Sequence, residues 1–206
     1  MLGTAPLILH PMKTIHPISR LLILLASLLM ISAYFLPFWK IEMWAPQYPE
    51  WLHMKIWLYK ITGDVDIING LNHYIGMKHI KVEMFPEFKV MPYILAGLIA
   101  FGLVSAALAK RAWVIVFLIL LLLAGTAGLV DFYLWGYDYG HNLDPTAAIK
   151  VPGMSYQPPL IGSKELLNFI AYSAPDWGGI ALGVSGVLVI VALWIDIKTS
   201  KFKSLR

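Results

Sequence analysis

Four apolar runs, at about 21–39, 91–109, 113–135 and 177–197, constrain this chain more than anything else in it. Each approaches the roughly 20 residues a helix needs to cross the hydrocarbon core of a bilayer. Water is absent there, so a spanning segment must bond its backbone N–H and C=O groups internally, as a helix does. The make-up agrees: 59% of residues are hydrophobic and 14% charged, where a soluble domain carries about half and about a quarter. Arg20 and Trp39, Tyr93 and Lys110, Trp113 and Trp135, and Trp177 and Trp194 flank the runs. Amphipathic rings prefer the headgroup layer, so these residues read as interfacial anchors.

Charge sets the expected orientation. Met1–Arg20, the Lys110–Arg111 turn and the tail from Ile197 hold eight of the sixteen Lys and Arg residues. Eleven of the twelve acids lie in the two long connections or at the outer end of the third run, Asp196 being the exception. Short cytoplasmic segments collect Lys and Arg, whereas long translocated loops are largely exempt. Both termini are therefore expected in the cytoplasm, with loops 40–90 and 136–176 outside. The net charge of +4 follows from that topology and gives no reason to expect a nucleic-acid partner. The first run reads as an uncleaved helix, because its apolar stretch continues to Tyr34–Trp39 without an A-x-A-like cleavage site.

Both loops exceed the roughly 12–15 residues beyond which an unstructured connection is uncommon, so each is expected to be folded. Ile56, Trp57 and Lys60 are spaced as one face of a short interfacial helix over His53–Ile61. Ser163–Ala171 is a further expected short helix, whereas Gly136–Pro145 and Val151–Gly162 carry turn-forming glycine and proline. The expected fold class is an all-α membrane protein of one domain spanning 1–206. It has four transmembrane helices, cytoplasmic termini, and two structured extracytoplasmic loops forming a small cap.

The spans hold no histidine, and their acids, Asp131 and Asp196, lie near helix ends. Ionisable groups within a membrane mark ion paths, proton relays and cofactor sites. Their absence from the span centres argues against a proton-coupled transporter and against a haem held by two histidines. Gly179 with Gly183, and Ala124 with Gly128, have the small-xxx-small spacing that lets helices approach, within one bundle or against a partner.

Polar chemistry collects instead in Asp64–Ile80, which holds two histidines, a methionine, two aspartates and two asparagines. If Val65–Met77 is helical, Asp66, Asn69, His73 and Met77 recur at intervals of three or four and share a face. Asn72 and His79 lie beside that stripe, and His141 and Met154 add similar groups in the second loop. The chain has no cysteine, so a soft metal such as copper would be held by methionine and histidine. The plainer reading is a structured loop whose polar residues cap helices and bond one another. His10 and His16 are given no role. A G-x-S-x-G elbow and a phosphate-cradling glycine loop are both missing, so no enzyme activity is expected. A Trp- and Tyr-lined outer rim suits a quinone headgroup or a protein partner as well as a plain interfacial belt.

PFWKIEMWAPQYPEWL at Pro37–Leu52, INGLNHYIGM at Ile68–Met77 and GHNLDPTAAIKVPGMSYQPPLIG at Gly140–Gly162 resemble a family of bacterial four-span membrane proteins. These are the NosB-type proteins encoded beside clade II nitrous oxide reductase, and the resemblance runs from the first span to the last. It implies an inner-membrane protein that works with an extracytoplasmic copper enzyme, in its assembly, anchoring or electron supply. It carries over no catalytic residues. The expected function is a non-catalytic accessory subunit that docks the reductase through Asn69–His79 and Gly140–Gly162 and assists copper or electron delivery. The alternatives are a quinol-binding electron-entry subunit and a copper carrier or permease. The permease is the weakest, because the spans lack a ladder of Met or His.

Overall fold

The computed structural model describes residues 14–204, so His10 and parts of both charged termini lie outside the described residues. Four helices are long and apolar enough to cross a membrane. They are α1 (Pro17–Leu29), prolonged by a 3-10 segment at Met30–Tyr34, α3 (Glu87–Leu108), α4 (Arg111–His141) and α5 (Trp177–Ser204). Pro17 starts α1 with its fixed φ, and the His16 ring accepts the Ile18 N–H at 3.2 Å, which gives that histidine a capping role. The first span stops at Tyr34, short of the expected Trp39, because Pro37 disfavours helix at the residue before it.

The helices form a ring, α1 against α3 and α5, with α4 closing it against α3 and α5. Their core is Ile23, Met30, Leu95, Val114, Phe117 and Val189. Small and hydroxyl side chains make the tightest approaches. A Cβ on Gly102 would collide with Ser27 Oγ and the Phe117 ring, and Ser19 donates to the Ala192 carbonyl at 2.7 Å. The expected small-residue pairs contribute less. Gly179 does lie against the Phe38 carbonyl, whereas a Cβ on Gly183 or Gly128 would meet no other part of the fold within 4 Å. At the end opposite the cap, Asp196 is buried; its carboxylate accepts from Arg111 Nε at 2.5 Å and from the His16 N–H at 3.1 Å.

The cap overturns the all-α expectation. Strands β1 (Trp39–Ala45), β2 (Tyr48–Ile56), β3 (Ile61–Gly63), β4 (Gly162–Leu166) and β5 (Phe169–Pro175) form one antiparallel sheet in the order β3-β2-β1-β5-β4. The two segments expected as short helices, His53–Ile61 and Ser163–Ala171, are strands and turns of this sheet. The decisive period is two: Leu52, Met54 and Ile56 are buried while Trp51, His53 and Lys55 face out. β1 pairs with β2 on one side, Ile41 opposite Met54, and with β5 on the other, Ile41 opposite Ser173. Strands of both long loops thus enter a single sheet, which places both loops at the same end of the bundle.

α2 (Val65–Ile75) meets the helical condition on which the shared polar stripe depends, and it ends at Gly76, whose φ of 79° is the left-handed cap that glycine adopts without strain. α4 runs six residues past its expected end at Trp135. At 1.5 Å per residue its 31 residues span about 46 Å, against a hydrocarbon core of about 30 Å. The surplus carries Phe132, Trp135 and Tyr139 up to the sheet, where they join Trp39, Ile41 and Phe85 in a second core. Trp39 and Phe132 meet at 5.2 Å between ring centroids, and Phe85 and Trp135 edge-on at 5.4 Å. Packing of these rings outweighs the turn propensity of Gly136 and Gly140, which the sequence places at the start of a loop.

Candidate functional site

The two polar segments singled out in the sequence come together on the cap. The stretch after α4 lies along α2, with the Asp144 N–H on the Gly76 carbonyl and the Ile149 N–H on the Tyr74 carbonyl, both at 2.8 Å. Lys78 reaches across to Asp138 at 2.6 Å. Asp144 is fixed in an Asx turn in which the Thr146 hydroxyl and N–H both donate to its carboxylate. Those two bonds hold the Asp144 pKa below the usual carboxylate range, and the nearby His73 ring adds to the effect.

The proposed metal stripe does not converge. Asn69 is buried and clamps Ile80, accepting from its N–H at 2.7 Å and donating to its carbonyl at 3.1 Å. Asp66 and His73 are exposed, and Met77 turns toward the cap interior. His73 and His79 do approach, with ring centroids 6.2 Å apart on the exposed side. His141 ends α4, stacked on Tyr137 at 3.9 Å, and Met154 is half-buried in the following loop. Among the described residues no group of three or more His, Asp or Glu is placed to share a metal ion. The donor set that sequence spacing suggested is therefore dispersed, and His73 with His79 is the one imidazole pair it leaves exposed together.

Sequence reasoning missed a cavity beneath the sheet. It measures about 60 Å³ and is bordered by sheet residues such as Ile41 and Met54, by Asn72 and Met77, by Trp135, and by Tyr156. Three buried polar atoms have no hydrogen-bond partner within the described chain: Asn72 Nδ2, Trp135 Nε1 and Tyr156 Oη. All three belong to residues that line this one cavity. An unmet buried donor costs roughly 1–3 kcal/mol, and native folds leave few of them. The Tyr139 ring lies 4.8 Å from that of Trp135 between centroids, and its hydroxyl donates to the His79 carbonyl at 3.1 Å. Leu167, at the tip of the β4–β5 hairpin, also lines the cavity and holds a left-handed φ of 61°, a conformation that costs a leucine of order 1–3 kcal/mol.

The methionines gather where the histidines do not. Met43 and Met54 are diagonal neighbours on the inner face of β1 and β2, and both line the cavity with Met77. Their positions follow from strand alternation, a signal present in the sequence once the period of two is recognised. Comparison of the chain with family models and with curated proteins finds no match.

Proposed function

We propose that this chain is a non-catalytic membrane accessory subunit whose cap docks an extracytoplasmic copper enzyme. Nitrous oxide reductase is the partner that the loop motifs imply. One observation carries the reading. Two of the three segments that bear the resemblance, Ile68–Met77 and Gly140–Gly162, are joined by backbone hydrogen bonds into one surface that leaves His73 and His141 exposed. A surface assembled from two loops and braced by the extended α4 is preorganised, which lowers the ordering cost of docking. In this reading the chain is an integral protein of a bacterial inner membrane, its cap faces the periplasm, and His73 with His79 touches the partner or passes copper to it.

Tagged purification in a mild detergent, with mass spectrometry and copper analysis of the same peak, tests this role. The expected result is stoichiometric recovery of the reductase, reduced at least tenfold by His73→Ala combined with His79→Ala. A peak without the reductase, or equal recovery with the double variant, overturns docking through this surface. Reductase recovered from the variant strain with full copper removes the delivery role and leaves anchoring.

A further inference from the structure

The end of the sheet nearest the bundle carries a surface distinct from the one on α2. Pro17–Tyr34, α-helix followed by 3-10 helix, is about 30 Å long at standard rises, which matches the hydrocarbon core. β1 starts at Trp39, a few residues further on, and so leaves the bundle within the headgroup layer. Trp39 pairs with Ile56, which puts the β2–β3 turn, Trp57–Lys60, on the bundle side of that level. Leu58 fits this depth, being buried in the bundle core that holds Met30, Ala33 and Leu95. Beside it Trp57 is half-buried and Tyr59 is 48% exposed. Lys60 Nζ lies over both rings, 4.6 Å from the Trp57 centroid and 5.5 Å from that of Tyr59. We propose that this end of the sheet binds an anionic phospholipid of the leaflet beneath the cap. Lys55 and Lys60 hold its phosphate, and Trp57 and Tyr59 lie among the headgroups.

The distribution of charge selects that partner. Lys40 and Lys55 stand directly opposite each other on β1 and β2, an arrangement that like charges disfavour. Glu42 takes up Lys40 at 3.0 Å, but among the described residues no carboxylate pairs with Lys55 or Lys60. The acids of the sheet gather farther from the bundle, where Glu42, Glu50 and Asp64 border an open groove with His53. Trp57 brings the two free ammonium groups onto one face. Its Nε1 donates to Thr62 Oγ1 at 2.8 Å, and Thr62 is the cross-strand neighbour of Lys55. A phosphate in front of that fixed ring has Lys55 on one side and Lys60 on the other. A zwitterionic headgroup would add its own ammonium to two that are uncompensated, whereas an anionic headgroup neutralises them. Tryptophan and tyrosine rings favour the same layer, so apolar depth and charge point to one partner.

This site is independent of the docking role and is read without the protein partner. Nitrogen-labelled tryptophan in the full chain, held in an uncharged detergent, gives an indole N–H signal for Trp57, assigned by Trp57→Phe. The probes are phosphatidylglycerol, phosphatidylcholine with the same acyl chains, and inorganic phosphate. Phosphatidylglycerol is expected to move the Trp57 signal saturably, and the other two to leave it in place. Lys55→Gln and Lys60→Gln are each expected to raise the apparent Kd for phosphatidylglycerol about fivefold, whereas Lys150→Gln, in the second loop, leaves it unchanged. Depth is read on Tyr59→Cys carrying a spin label, in nanodiscs that contain phosphatidylglycerol. Its label is expected to collide more often with oxygen, which concentrates in lipid, than with a water-soluble nickel chelate. An equal shift with phosphatidylcholine would overturn selection by charge, and an equal shift with inorganic phosphate would make this a site for a soluble anion. An unchanged Kd in both lysine variants, a signal unmoved by every probe, or a label that meets the chelate first would equally overturn the proposal.

Discussion

Asn69, His73 and Met77 follow one another at helical spacing, yet the fold gives them three different tasks. Asn69 closes two buried hydrogen bonds with Ile80, His73 faces out, and Met77 lines the cavity. Asn69→Leu leaves the buried Ile80 N–H and carbonyl unpaired and is expected to lower stability by about 2–4 kcal/mol, read by thermal unfolding in detergent. His73→Ala removes no bond of this kind, and its expected cost is within about 0.5 kcal/mol. A large loss from the histidine instead would show that His73 holds the cap together. Asp144 supplies a pH dependence. Its pKa is lowered in the folded chain, so its contribution is present above the unfolded value and is lost as pH falls through the folded one. Protection of the Thr146 amide from exchange, corrected for intrinsic rates, should therefore decline below the ordinary carboxylate range, and Asp144→Ala should flatten that dependence. The helical spacing made these residues visible; which of them is buried depends on the sheet above.

At the scale of elements, α4 is the member that links membrane and cap. Two kinds of contact attach it, and they differ in strength. The Lys78–Asp138 pair is half-exposed, so Asp138→Asn is expected to cost less than about 1 kcal/mol. Phe85 sits among Trp135, Tyr139 and Phe88, and Phe85→Ala is expected to cost about 2–3 kcal/mol through lost burial. Denaturation in detergent with tryptophan fluorescence ranks the two, and a larger loss at Asp138 would assign the attachment to charge. A Cβ on Gly140 would strike the backbone of Gln157. Gly140→Ala should therefore lift the loop at 151–161 from the helix, seen as faster proteolysis there. The strands of the cap were legible in principle, since Leu52–Ile56 alternates strictly. Competing helical spacing at Ile56, Trp57 and Lys60 obscured it, because short segments satisfy both periods. Pairing of β1 with β5, more than 120 residues apart in sequence, leaves no local trace at all.

For the whole molecule, the bundle and the cap are closed at opposite ends by different chemistry. The far end rests on the buried Asp196 carboxylate and its Arg111 partner. Arg111→Ala leaves that charge uncompensated and is expected to destabilise by about 3–5 kcal/mol, measured by thermal unfolding. Because the chain has no cysteine, each cysteine introduced into it is a unique label. In the proposed orientation, Lys150→Cys should react with an impermeant maleimide from the periplasmic side of intact cells, and Ser200→Cys only after lysis. Labelling of both from one side would contradict a four-span arrangement, and the reverse pattern would invert the proposed orientation.

The sequence by itself determined the four apolar helices and their approximate limits. These depend on local quantities, namely the length of an apolar run and the spacing of side chains along it. Only the tertiary structure decided that both loops share one sheet, that α4 continues into the cap, and that Asn72, Trp135 and Tyr156 line a common cavity. Those features come from contacts between residues distant in sequence, where the free energy of packing an aromatic core outweighs the local preferences of the glycines and turns it crosses.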